Sequence, residues 1–233
     1  MIASRLHKFI YIKTMKTAST SIELALSPHC GPRDILVPIG ARFDMLRAEQ
    51  GVYPRNFAEA TIEKRYLKEL RKRNPKRMKK VLREIEASGF WAHARPDVIM
   101  TKVGNLWNAA LRFTSERHPY EKALSRAYFS YRGASGSFDA HLEKIVFEDR
   151  LYVGYPMYMV AGKVVVHEFL LHDTLQADFD RVTAKLGLPP NPLPRARHVE
   201  RPRRPALEVL TSSQREFIYQ QCCPEFELFG WKR

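Results

Sequence analysis

A short apolar run near the start of the chain passes directly into a cluster of lysines and hydroxyl residues. Phe9–Ile12 ("FIYI") is continuously apolar, which is typical of a strand covered on both faces of a sheet. Residues 13–21 read "KTMKTASTS", and Thr20 with Glu23 three residues later matches the capping box of a helix start. The pattern predicts a strand, a tight loop and a helix whose amino end, with its unbonded N–H groups, faces an anion.

The rest of the chain alternates between strand and helix signals. Strands are predicted in "NAALRFTSE", ending near Ser115, and in "KVVVHEFLL". Helices are predicted at residues 57–88 with a break at Asn74–Pro75, near 98–104, from Pro119 onward, at 175–186 and at 211–222. This alternation predicts an α/β fold of three α/β/α layers with a central parallel sheet. The length of 233 residues favours one domain, residues 1–233.

The charge balance points to an anionic partner. The chain has 39 Lys and Arg against 25 Asp and Glu, a formal net charge of +14, which attracts nucleic acid, anionic polymers or polyanionic small molecules. Eleven of these basic residues lie at 64–83, so residues 57–88 are interpreted as a basic helical insertion or lid. Residues 189–205 are rich in proline and arginine and are interpreted as an extended basic arm, in which Arg195, Arg197 or Arg201 could contact a ligand.

Several protein classes fit the composition poorly. Three cysteines, two of them adjacent at Cys222 and Cys223, do not form a disulfide framework, and this favours a reducing, cytoplasmic setting. No Cys/His spacing indicates a zinc site, so no metal is expected. No apolar run is long enough to span a bilayer, so no transmembrane segment is expected.

The loop after Phe9–Ile12 is not a Walker A loop. That motif needs two glycines and a lysine directly before its final hydroxyl residue, whereas this loop has no glycine and Lys16 precedes the run of hydroxyls. A strand-to-helix turn with a lysine and hydroxyl donors is still what a phosphate cradle needs. The loop therefore does not fit an ordinary nucleotide kinase, but it does fit an anion-binding site.

Two segments resemble the donor-binding motifs of the sulfotransferases that use PAPS (3′-phosphoadenosine 5′-phosphosulfate). "KTASTS" at residues 16–21 resembles their phosphosulfate loop, and "RFTSERHPYEKALS" at 112–125 resembles their 3′-phosphate motif. The likeness is to the carbohydrate-type and bacterial members. It implies the P-loop nucleotide-kinase-like sulfotransferase fold and PAPS as the donor. A donor with a phosphosulfate at one end and a 3′-phosphate at the other needs two separated anion sites.

The resemblance also implies a role for each matching residue. Lys16 would be catalytic, stabilising charge on the leaving phosphate. Arg117 and Ser125 would bind the 3′-phosphate. His93, in "FWAHARP", would be the base that removes the proton of the acceptor hydroxyl. Related chains often have an arginine where "LLHDTL" has Leu171 and His172. The 5′-phosphate would be held by Lys16 together with Thr17, Ala18, Ser19, Thr20 and Ser21.

The expected reaction is transfer of a sulfuryl group from PAPS to a hydroxyl of a glycan or glycolipid acceptor, which the basic helices at 64–83 would attract if it is anionic. Three other functions stay open at this stage. One is a phosphoryl transferase of the P-loop kind, which would need magnesium. Another is a non-catalytic basic nucleic-acid-binding protein, although no nucleic-acid partner is expected because the two donor motifs occur together. The third is a sulfotransferase-like protein that binds the donor without reacting.

Overall fold

A computed structural model describes residues 1–87, 90–131, 136–196 and 204–233, and shows a mixed α/β fold. The strands are β1 Ile2–Ser4, β2 Phe9–Ile12, β3 Ile35–Leu36, β4 Leu111–Glu116, β5 Met159–Val160, β6 Lys163–Val164 and β7 Glu168–Leu171. The helices are α1 Ser19–Leu26, α2 Ala41–Glu49, α3 Ala60–Arg71, α4 Pro75–Ala87, α5 Pro96–Val103, α6 Leu106–Ala109, α7 Pro119–Ser130, α8 Phe138–Lys144, α9 Leu175–Lys185, α10 Ala206–Val209, α11 Ser212–Gln221 and α12 Cys223–Phe229.

The main sheet has five strands in the order β3-β1-β2-β4-β7. β2, β4 and β7 are parallel to one another, whereas β1 is antiparallel to both β2 and β3. The prediction of a parallel sheet is therefore correct for β2, β4 and β7 and wrong for β1. β1 reaches β2 through residues 5–8 alone, and so short a connection allows only antiparallel pairing.

Helices cover both faces of this sheet. Along β2, Phe9 and Tyr11 point into one apolar cluster with residues of α1 and α9, while Ile10 and Ile12 point into another with residues of α3, α4 and α5. All four β2 side chains are fully buried. The continuous apolar run therefore predicted a two-sided strand correctly, since alternate side chains of a strand face opposite sides.

Most of the predicted helices are present, with local differences at their ends. The break at Asn74–Pro75 is confirmed, because α3 ends at Arg71 and α4 begins at Pro75. Pro119 is the first residue of α7, also as predicted. The segment "KVVVHEFLL" is not one strand: β6 pairs with β5 in a separate two-stranded sheet, and only β7 joins the main sheet.

The two basic helices α3 and α4 are anchored in the largest apolar cluster. Their buried members are Tyr66, Leu70, Met78, Val81 and Ile85. The eleven Lys and Arg side chains at 64–83 are all exposed. Some of their charge is balanced, because Arg65 pairs with Glu84 and Arg73 with Glu49. The segment is therefore a packed helical pair with one basic surface.

Within the ranges that the structure describes, no helix combines the length and the apolar character needed to cross a bilayer. The longest of these helices, α4 with 13 residues, and its neighbour α3 with 12 residues are amphipathic, with an apolar stripe on the core and charged residues outside.

Candidate functional site

The loop between β2 and α1 turns sharply at two residues that are not glycine. Lys16 has φ 61° and Ala18 has φ 58° with ψ 17°, both in the left-handed region. Alternation of such residues with ordinary ones turns successive backbone N–H groups toward one side, a geometry that favours anions. Ser21 is the first residue of the helix whose N–H donates to the Ala18 carbonyl. The N–H groups of Ser19 and Thr20 therefore have no acceptor within the helix.

Thr17 faces away from the open side of this loop. Its side chain is fully buried, and its Oγ1 lies 2.9 Å from Thr14 Oγ1 and 2.8 Å from Ser115 Oγ. Thr14 Oγ1 also donates to the Ser115 carbonyl, and Tyr11 Oη lies 2.8 Å from Ser115 Oγ. These hydroxyls tie the loop to the carboxyl end of β4. A ligand contact through the Thr17 hydroxyl does not fit this geometry, because the hydroxyl is already used within the protein.

The capping box predicted at Thr20 and Glu23 is wrong. Helix α1 begins two residues earlier than a Thr20 cap predicts, at Ser19, and its N-cap is Ala18, which has no side chain that could accept a hydrogen bond. Glu23 is instead fully buried and forms an ion pair with Lys13. Burial alone would raise the pKa of Glu23, but the surrounding cations, Lys13 first and then the Met1 ammonium and Arg47, lower it to about 2. The carboxylate that resembled a cap thus holds Lys13 under the loop.

The second motif lies at the end of β4 and on the first turns of α7. Arg117 follows β4 directly and donates from Nη2 to Glu121 Oε2 at 2.8 Å. Ser125 lies two turns along α7, and Phe129 follows it at the helical spacing of four residues. Lys16 Nζ lies 4.0 Å from the centroid of the Phe129 ring, so the loop lysine rests on the helix that carries Ser125.

One cavity of about 670 Å³ joins the two motifs. Of the residues predicted from the sequence, those that line it are Lys16, Ala18, Ser19, Thr20, Ser21, His93, Arg117 and Ser125. Thr17 does not line it. Among the residues that the structure describes, the lining contains five Lys or Arg side chains and one carboxylate, that of Glu86. The volume is in the range of ordinary small-molecule sites, and the excess of cations favours an anionic ligand.

His93 lies in the cavity wall, partly buried beside Trp91. Its Nδ1 is 3.1 Å from the Lys13 carbonyl oxygen, which can only accept. Nδ1 therefore carries the proton, and Nε2 has the free lone pair. Burial and the neighbouring Lys13 charge lower the pKa of His93 to about 3, so the ring is neutral at physiological pH.

The sequence reasoning missed several residues of this cavity. Lys13 and Phe129 are two, and Arg126, which pairs with Asp149 through Nε and Nη2 at 3.0 and 2.8 Å, is a third. His172, noted in the sequence only as a departure from the motif, lines the cavity as well. Arg126 and Phe129 could have been found from their spacing, since they follow Ser125 on the same helix. Lys13 could not, because its place depends on Glu23.

Helix α4 and the arm form two other walls of the cavity. Leu82, Ile85 and Glu86 of α4 line the cavity, so its basic side chains lie outside the lining. The described part of the arm, up to Ala196, contains no helix or strand, and Ala196 N donates to the Pro194 carbonyl at 2.9 Å and to Ser21 Oγ at 3.4 Å. Arg195 lines the cavity, whereas Arg197 and Arg201 lie outside the described residues.

A buried charge cluster lies directly behind Arg117. Lys122 Nζ is 2.6 Å from Glu116 Oε1 and 2.8 Å from Glu225 Oε1, and all three side chains are buried. The Arg117 backbone N–H donates to the same Glu116 Oε1 at 2.7 Å. Burial raises the pKa of Glu116 to about 7, with Lys122 opposing and Glu225 adding to the effect. The cluster holds the backbone of Arg117 and links β4 to the carboxyl-terminal helix α12.

The described residues contain no group of three or more His, Cys, Asp and Glu side chains suited to holding a metal ion. Comparison with known proteins adds no relative: no family model, no curated protein and no solved structure matches this chain.

Proposed function

We propose that the protein is a PAPS-dependent sulfotransferase with the P-loop nucleotide-kinase-like sulfotransferase fold. The observation that supports this most strongly is the meeting of two distant motifs in one cavity, with Lys16 resting on Phe129 one turn from Ser125 and Arg117 in the same lining. A ligand with two separated anionic groups fits such an arrangement. Free thiols at all three cysteines support a reducing, cytoplasmic location.

The donor would be held by the two motifs together. Lys16 and the amino end of α1 bind the phosphosulfate end, with Ser19, Thr20 and Ser21 supplying N–H groups or hydroxyls. Arg117 and Ser125 bind the 3′-phosphate. Thr17 differs from the other loop residues, because its hydroxyl fastens the loop to Ser115.

The reaction needs positioning and charge neutralisation more than covalent help. The acceptor oxygen forms a bond to sulfur as the bond from sulfur to the bridging phosphate oxygen breaks. Lys16 stabilises the negative charge that grows on that phosphate. The acceptor proton passes to His93 Nε2, whose tautomer is set by the Lys13 carbonyl. Burial and the Lys13 charge keep the imidazole neutral with a pKa of about 3, so the transfer also requires the negative charge of the bound donor to stabilise the imidazolium that forms.

The donor assignment is tested by calorimetric titration with adenosine 3′,5′-bisphosphate, the product of the donor. Removing a charge-assisted contact to phosphate costs about 1.5–3 kcal/mol, so Lys16→Ala and Arg117→Ala should each weaken binding about 10- to 100-fold. Lys144→Ala is the matched control, because Lys144 is exposed and lies outside the cavity lining. No binding by the wild type, or equal binding by all three variants, would refute the proposal. Turnover of ATP that depends on magnesium would favour the phosphoryl transferase instead.

We further propose that the acceptor is a hydroxyl of an anionic glycan or glycolipid that extends from the cavity over the basic surface of α3 and α4. This surface adjoins the cavity because α4 forms one of its walls. In the double variant Lys72→Glu/Lys76→Glu, the KM for an anionic acceptor should rise at least about tenfold while the KM for the donor stays unchanged. Lys163→Glu, on the separate hairpin, is the control. An unchanged acceptor KM would refute this proposal and indicate that the basic surface is only a solvent-exposed face.

A further inference from the structure

His172 and Arg117 leave the sheet side by side. β4 and β7 are adjacent and parallel, and their register pairs Glu116 with Leu171. The next residue of each strand is therefore Arg117 on one and His172 on the other, at the same carboxyl-terminal edge. His172 begins a 3₁₀ turn, its side chain is 33% exposed, and it lines the cavity together with Arg117 and Ser125.

The charges around His172 leave it neutral in the absence of a ligand. Burial and the Arg117 charge lower the pKa of His172 below its usual 6.5, while Asp173 and Glu121 oppose this. Asp173 does not outweigh burial and Arg117, because its side chain is 92% exposed to water and its Oδ1 lies 3.7 Å from His172 Nδ1. Glu121 is paired with Arg117.

We propose that His172 is a third ligand of the 3′-phosphate and that it takes up a proton when the donor binds. The inference rests on the proposed function, since it assigns a phosphate to the Arg117 end of the cavity. A phosphate dianion beside the imidazole favours its charged form, which donates a charge-assisted hydrogen bond. The proton comes from solvent and forms an N–H bond on the imidazole, and no bond of the donor changes.

Proton uptake makes the donor affinity depend on pH in a defined direction. Between the pKa of His172 in the free protein and its higher pKa in the complex, affinity falls as pH rises, by up to about tenfold per pH unit. The phosphate group has its own ionisation near pH 6, but this acts in the opposite direction, because a dianion binds more tightly than a monoanion. A loss of affinity above pH 6.5 therefore cannot come from the ligand.

The test is calorimetric titration with adenosine 3′,5′-bisphosphate from pH 6.5 to 8.5, in two buffers of different ionisation enthalpy. The difference in heat between the buffers gives the number of protons taken up. The wild type should take up close to one proton in part of this range. With adenosine 5′-monophosphate, which lacks the 3′-phosphate, uptake should disappear. His172→Gln should bind the bisphosphate without uptake, and His172→Arg should bind it with an affinity that does not change from pH 6.5 to 8.5.

Glu116 is another group that could take up a proton when the donor binds. Its pKa is raised to about 7 and it contacts the Arg117 backbone. Proton uptake that persists in His172→Gln and disappears in Glu116→Gln would overturn the proposal, as would equal uptake with adenosine 5′-monophosphate. Absence of any binding by the bisphosphate would refute the proposed function itself. Binding without proton uptake would refute the role of His172 alone.

Discussion

The buried charge cluster behind Arg117 should make the stability of the protein depend on pH. Glu116, Lys122 and Glu225 bring two carboxylates and one ammonium together in the protein interior, so ionisation of both carboxyls leaves a buried negative charge. A carboxyl with a raised pKa binds its proton more tightly in the folded than in the unfolded state. Stability is therefore lost as pH rises from 4.5, the ordinary value for glutamate, through about 7.

The magnitude follows from the size of that change. At about 1.4 kcal/mol per pH unit, a rise from 4.5 to about 7 corresponds to about 3 kcal/mol. Glu116→Gln removes the titration but keeps an oxygen that can accept from Lys122 and from the Arg117 N–H. The free energy of unfolding of the variant, relative to the wild type, should thus increase by about 3 kcal/mol between pH 4.5 and pH 8.5.

Urea unfolding followed by circular dichroism at several pH values measures this difference. Glu143→Gln is the control, since Glu143 is exposed and its substitution should leave the curve parallel to that of the wild type. The comparison uses the change with pH, so a constant offset caused by repacking does not matter. Parallel curves for Glu116→Gln and the wild type would refute the reasoning, because Glu116 would then titrate alike in both states.

Two further outcomes are expected. NMR of labelled imidazole rings should show His93 as the Nδ1–H tautomer with a pKa of about 3, and titration near 6.5 would contradict the burial argument. Because His93 binds its proton near pH 6.5 in the unfolded state, the free energy of unfolding should fall as pH falls from 6.5 to about 3, and it should fall less steeply in His93→Gln. Gly154→Ala should destabilise the protein by about 1–3 kcal/mol in thermal or urea unfolding, because its Cβ would overlap Glu116 Oε2 and lie 2.5 Å from Lys122 Nζ. Gly31→Ala, where the nearest atom is 3.4 Å away, should cost much less, and equal losses would argue against the clash.

The local signals of the sequence predicted much of the fold. The apolar run of β2, the break before Pro75 and the start of α7 at Pro119 each depend on a few neighbouring residues, and each is present. The short strands β1 and β3 were not predicted, because strands of three and two residues carry too little pattern.

Part of the candidate site could likewise be predicted from local sequence, and part of it could not. The loop and the Arg117 motif could be recognised along the chain, since their residues are close in sequence. The inward turn of Thr17 and the pairing of Glu23 with Lys13 could not, because each depends on partners brought near by folding. The capping box failed for this reason: Glu23 had a stronger partner in the core than the helix end.

By itself, the sequence determined a strand, a loop of lysine and hydroxyl residues and a helix, a second cationic motif, and a strongly basic surface. These follow from local backbone preferences and from composition, which act over a few residues. Only the tertiary structure decided that Lys16 rests on the helix of Ser125, and that His172 emerges beside Arg117. Both depend on the parallel order of β2, β4 and β7, which brings the carboxyl ends of strands far apart in the chain to one edge of the sheet.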